Sequence, residues 1–182
     1  MTTSLAHARQ VLGRTPRILD ELLTGLPVGW LETPDIEGGW RPRDVVGHLI
    51  SAEIDDWIPR IERILEHGVA VPFDPFDRFA HETRDAGVPL DELVARFERQ
   101  RAASLDQLDR HVTESDLDRR GLHPVLGEVT MRELIATWAA HDLDHTSQIF
   151  AGLAGSLNGD VGAWKAYLGI LLRRDDPAAT PA

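Results

Sequence analysis

Apolar residues recur along this chain every three or four positions almost from end to end, the spacing that lines one face of an α-helix. Leu5, Ala8, Val11 and Leu12 begin a stripe that resumes after Thr15-Pro16 with Ile18, Leu19, Leu22, Leu23 and Leu26. This predicts a first helix, kinked or restarted at the proline. Pro27, Gly29, Pro34, Gly38 and Gly39 then mark a loop. Pro42 in a first-turn position, with Asp44 complementing the helix dipole, opens a second helix. Val45, Val46, Leu49, Ile54, Trp57, Ile58, Ile61, Ile64 and Leu65 are its apolar set, with a kink expected at Pro59 and a stop at Gly68.

The stretch from Val69 to Val88 reads as a long irregular connection rich in Pro, Phe and Asp, and connections of that length are often functional. Pro89 starts a third helix whose buried face is Leu90, Leu93, Val94, Phe97, Leu105 and Leu108, ended by the charged segment Thr113 to Arg120. After a second long connection, Thr130 and Glu133 have the spacing of a capping box and start a fourth helix, expected to end at Gly152 and Gly155. Asn158 or Asp160 is expected to cap a short last helix carrying Trp164, Tyr167, Leu168 and Leu171. No two-residue alternation is long enough for a sheet, although residues 125–130 suit a small extended piece. The expected fold is all-α, a four-helix bundle with long crossover connections plus a short C-terminal helix, as a single domain over 1–174 with a flexible tail over 175–182.

Composition narrows the class. At 182 residues and 42% hydrophobic content the chain suits one globular domain. Its apolar runs fall short of the roughly 20 residues that span a membrane, and its first residues lack the apolar core of a signal peptide, so a cytoplasmic protein with no membrane partner is expected. A formal charge of −11 with no concentrated basic face argues against nucleic acid as a partner. The absence of cysteine confines metal ligands to histidine and carboxylate, and any thiol chemistry to a cosubstrate.

The chemistry concentrates in histidines. His141 and His145 stand at i and i+4 in the fourth helix and share its face with Leu134, Thr137, Trp138, Asp144 and Gln148. His48, in the second helix, is the third. Three imidazoles from two facing helices would hold a metal and leave a position open for chemistry. Such a pair also occurs as satisfied core histidines or as solvent-facing ones, and the residues alone leave both readings open. Asp55 is too far along the second helix to bind the same ion but is placed to line a pocket, while Glu53 points away. Asp142 and Asp144 are candidates to orient an imidazole or a water, or to solvate one edge of the helix. The string His141-Asp-Leu-Asp-His145 is a poor match to the zinc-peptidase pattern, because Asp142 is one methylene shorter than the glutamate that pattern requires. His7, His67, His81, His111 and His123 are expected to titrate in solvent, with His81 or His123 able to overhang the pocket.

These residues carry a resemblance over most of the chain. Leu26-Pro27, Gly39-Trp40, Val45-Val-Gly-His48-Leu49 with Glu53, Pro75-Phe76-Asp77 and His141-Asp-Leu-Asp-His145 resemble the motifs of the DinB/YfiT-like metalloprotein superfamily. The resemblance implies a four-helix bundle, often dimeric, with His48, His141 and His145 as ligands of zinc or nickel. It also implies a small-molecule substrate and, from some relatives, transfer or isomerisation with a low-molecular-weight thiol cosubstrate. A thiol-dependent S-transferase in detoxification or stress response is therefore the expected function. A metal-dependent hydrolase and a noncatalytic, metal-stabilised binding bundle are the alternatives.

Overall fold

The computed structural model describes residues 4–172, so the tail expected over 175–182 lies outside the described residues. Its first bundle arm is two helices, α1 (Leu5–Leu12) and α2 (Thr15–Leu23), separated at Gly13 and Arg14, since Pro16 has no N–H to continue the first ladder. A single turn, α3 (Val28–Leu31), follows. The second arm is also double, α4 (Pro42–Asp55) and α5 (Trp57–His67). The break falls at Asp56 (φ −121°, ψ −69°) rather than at Pro59, because a proline removes the hydrogen bond to the carbonyl four residues earlier. The long connection holds one short helix, α6 (Ala80–Arg84), before the third arm, α7 (Leu90–His111).

The second connection folds into a hairpin of β1 (Arg120–His123) and β2 (Gly127–Thr130), antiparallel with Arg120 opposite Thr130. The sequence reading anticipated the second strand and missed the first, whose four residues show no alternation of their own. The Thr130 hydroxyl accepts the Glu133 N–H at 3.2 Å, and the Glu133 carboxylate accepts the Thr130 N–H at 2.7 Å, which starts the fourth arm, α8 (Met131–Ser156). This helix runs through Gly152 instead of ending there. Gly152 is a contact point: a Cβ on it would lie 2.6 Å from the Thr33 carbonyl oxygen of the loop after α3. The last segment is a 3₁₀ stretch over Gly162–Tyr167 and one turn, α9 (Gly169–Leu172), with neither Asn158 nor Asp160 as its cap. Trp164 and Tyr167 lie in the 3₁₀ stretch and are exposed, while Leu171 in the final turn is buried.

In the four-helix bundle α4 packs on α7 and α8, α1 on α8, and α2 on α7. Its apolar interior forms two clusters, one around Trp57, Ile61, Leu108, Ile135 and Trp138 and the other around Leu19, Val46, Leu49, Phe97 and Ile149. A buried ionic group lies in the same interior. Arg101 of α7 donates to both oxygens of Asp142 (2.6 and 2.8 Å), to Glu53 Oε1 (2.8 Å) and to the Leu12 carbonyl (2.8 Å), and the Trp138 indole N–H also donates to Glu53 (2.9 Å). Asp142 is therefore neither solvated nor turned to an imidazole. Charges this deeply buried persist because they are paired and hydrogen-bonded.

Candidate metal centre

α4 and α8 cross with His48 facing His141 and His145. The three Nε2 atoms converge: His141 Nε2 lies 3.1 Å from that of His48 and 3.0 Å from that of His145, and all three fall within 4.8 Å of one another. His48 and His145 are buried and His141 nearly so.

The outer ring nitrogens fix what the inner ones present. His48 Nδ1 is 3.2 Å from the carbonyl oxygen of Arg78, which can only accept, so Nδ1 carries the proton and Nε2 offers its lone pair inward. His145 is set by a relay. The Asp35 carboxylate accepts from Gln148 Nε2 at 3.3 Å, which turns Gln148 Oε1 to His145 Nδ1 at 2.5 Å and again leaves an inward lone pair. His141 Nδ1 is buried without a hydrogen-bond partner. A neutral His141 could donate through Nε2 to one of its neighbours but not to both, so at least one inward lone pair would be left without a donor. A cation among them resolves this. Imidazole ligands about 2.0–2.1 Å from a tetrahedral ion stand roughly 3.3 Å apart, close to the separations here. The donor set fits a divalent metal.

The electrostatics favour the ligand form. Burial is the largest cause holding all three imidazoles below their ordinary pKa, His48 at about 3 and His141 at about 2, and mutual repulsion adds to it for these two. They are neutral at physiological pH, as ligands must be.

The centre is the floor of an open cavity of about 530 Å³ whose walls include Trp40, Trp57, Phe76, Phe79, Arg60 and Arg78. Trp40, from the Gly39-Trp40 loop, packs 4.6 Å from His48 and 6.0 Å from His145 between ring centroids, and Trp57 meets His141 edge-on at 5.1 Å. Asp56, not Asp55, lines the cavity. The break before Pro59 turns Asp56 inward to an ion pair with Arg60 at 2.7 Å, while Asp55 is bound by Arg84 at 2.7 Å outside. Burial raises the Asp56 carboxyl to about 6 despite Arg60. Asp144 also lines the cavity and is exposed. His81 is buried against Trp40 and not in solvent, and His123 packs edge-on to Phe73 outside the cavity walls. Sequence reasoning missed Asp35, Arg78 and the role of Asp56, all in loops or at a helix break where periodicity is silent. Gln148, three residues beyond His145 on its face, was the one signal available.

With this geometry in hand, the chain can be placed among known proteins. The DinB superfamily profile matches residues 12–149, and the chain belongs to that superfamily. Relatives that the chain matches include proteins named "Putative metal-dependent hydrolase". The one from Bacillus cereus is 26% identical over 134 residues, spanning 74% of this chain and 76% of its own. The one from Oceanobacillus iheyensis is 26% identical over 136 residues, spanning 74% and 77%. Among solved structures, YfiT from Bacillus subtilis superposes with a TM-score of 0.72 at 22% identity, over 86% of this chain and 91% of that one. It is described as a probable metal-dependent hydrolase with an unusual four-helix bundle topology, and the likeness establishes the fold. Among the described residues no helix is long and apolar enough to cross a membrane.

Proposed function

We propose that this protein is a metal-dependent hydrolase of small molecules, with His48, His141 and His145 as the metal ligands. The observation that carries the reading is the convergence of three imidazoles, two of them held by outer hydrogen bonds, on the floor of an open, aromatic-walled cavity. A divalent ion there, zinc or nickel, supplies a Lewis acid able to polarise a carbonyl and activate water. The chain's own groups serve the rest. Trp40, Trp57, Phe76 and Phe79 give the substrate an apolar slot, and the raised Asp56 carboxyl is suited to exchange a proton near neutrality. The relatives' names point the same way. No cavity residue singles out a thiol, so the S-transferase expectation yields to hydrolysis. The setting is the cytoplasm, with neither nucleic acid nor membrane as partner.

The test is a panel of esters, lactones and amides offered to zinc- and nickel-loaded protein, with and without a low-molecular-weight thiol. Turnover that needs no thiol and is abolished by chelation is expected. Turnover only with thiol would replace this reading with the transferase, and no turnover with a fully loaded site would favour the noncatalytic bundle.

A further inference from the structure

From the rim of the cavity we infer that Arg78 is an oxyanion-binding residue, so that the substrate carries a carboxylate or phosphate group attached to a flat apolar portion. The inference rests on the hydrolase reading for the word substrate, but its evidence and its test concern binding alone.

In a chain where 30 acidic residues face 19 basic ones, most arginines hold a carboxylate. Arg9, Arg41, Arg60, Arg63, Arg84, Arg96, Arg101, Arg110, Arg120 and Arg132 each do so within 3.1 Å. Arg78 has no carboxylate within ion-pairing distance among the described residues, although it is the one arginine besides Arg60 that lines this cavity. Arg60 is already engaged by Asp56, so Arg78 alone has its donors free for a ligand.

Its side chain, although exposed, rests against two rings. The guanidinium carbon sits 5.5 Å from the Trp40 ring centroid and 5.4 Å from that of Phe79, so the planar group is steadied by two aromatic faces while its N–H edges stay available. The backbone carbonyl of the same residue orients His48, which ties the cation to the metal centre in sequence and in space. A planar fork with free donors suits the two oxygens of a carboxylate or phosphate, and Trp40 and Phe79 beside it suit a flat apolar group. The three acidic residues in the lining do not occupy this role. Asp35 accepts from Gln148, Asp56 pairs with Arg60, and Asp144 is exposed and opposes an anion by repulsion.

The experiment is calorimetric titration of the full chain, first stripped of metal and then zinc-loaded, with phenyl phosphate, benzoate and the neutral isostere benzamide. The variants are Arg78→Gln and Asp144→Asn, each checked for folding by circular dichroism. In the stripped protein at least one anion should bind more tightly than benzamide, and the R78Q change should weaken it about 10- to 100-fold while leaving benzamide unaltered. D144N should strengthen anion binding, and added salt should weaken it. Comparing phenyl phosphate with benzoate assigns the oxyanion class. Anion affinity equal to that of benzamide, or unchanged in R78Q, would overturn the inference. Because no turnover is measured, an inactive protein would count against the hydrolase reading and leave this result standing.

Discussion

Arg101 grips Asp142 through two hydrogen bonds of 2.6 and 2.8 Å in the interior of the bundle, one residue from His141 on the same helix. Both side chains are at most 1% exposed. The pair, with Glu53 sharing one of the same guanidinium nitrogens, joins α4, α7 and α8 at the level where the histidines face one another.

Removing Asp142 takes the acceptor from two buried N–H donors of Arg101 and leaves Glu53 as its one carboxylate partner. Asp142→Ala is therefore expected to lower the stability of the metal-free protein by about 3–5 kcal/mol, far beyond the usual cost of one lost hydrogen bond. Urea denaturation of the two proteins measures it. A loss below about 1 kcal/mol would mean that water reaches Arg101.

The pH dependence has a definite sign. Folded, metal-free protein keeps His48 and His141 neutral down to about pH 3 and about pH 2, burial being the first cause, whereas the unfolded chain takes up these protons near pH 6.5. The unfolded state thus binds more protons below that point. Their contribution is complete above about pH 7 and is lost as pH falls, by about 1.4 kcal/mol per unit for each imidazole. Asp56 works against this between its unfolded value of about 3.9 and its folded value of about 6, where the folded state holds the extra proton. The net expectation is a fall in urea midpoint of the chelated protein from pH 7 to 5, steeper in Asp56→Asn. A midpoint that stays level over that range would contradict the buried, neutral imidazoles.

Gln148 holds His145 while itself held by Asp35. Gln148→Ala frees the imidazole to rotate and to change tautomer, and is expected to weaken metal affinity about 10- to 100-fold without unfolding the bundle. Competition with a chromogenic chelator reads this directly, and affinity equal to that of the unaltered protein would show that packing against Trp40 alone orients the ring.

Much of the bundle was legible because each arm writes its buried face at a 3.6-residue period: Leu93, Val94, Phe97, Leu105 and Leu108 of α7 are all buried as the spacing requires. His48, His141 and His145 were legible for the same reason, two helices with imidazoles on inward faces. What periodicity did not carry was set by single tertiary contacts. Gly152 looked like a helix stop, yet it is the point where α8 and the Thr33 carbonyl approach too closely for any side chain. Asp55 and Asp56 are adjacent and chemically alike, and only the backbone break before Pro59 decides which of them faces the cavity. Asp142 stood open between orienting an imidazole or a water and solvating the helix edge, and Arg101, 41 residues earlier, supplies a partner that neither reading named. Arg78 and Asp35 lie outside the helices, where no repeating pattern marks them.

The central claim is that His48, His141 and His145 hold one metal ion. Elemental analysis of tag-free protein and of the His141→Ala variant, both reconstituted with zinc or nickel and desalted, tests it most directly. Near one ion per chain in the first and almost none in the second, with the helical circular dichroism of both retained, is the predicted result. Equal metal content in the two, or a folded protein that takes up no metal, would contradict it.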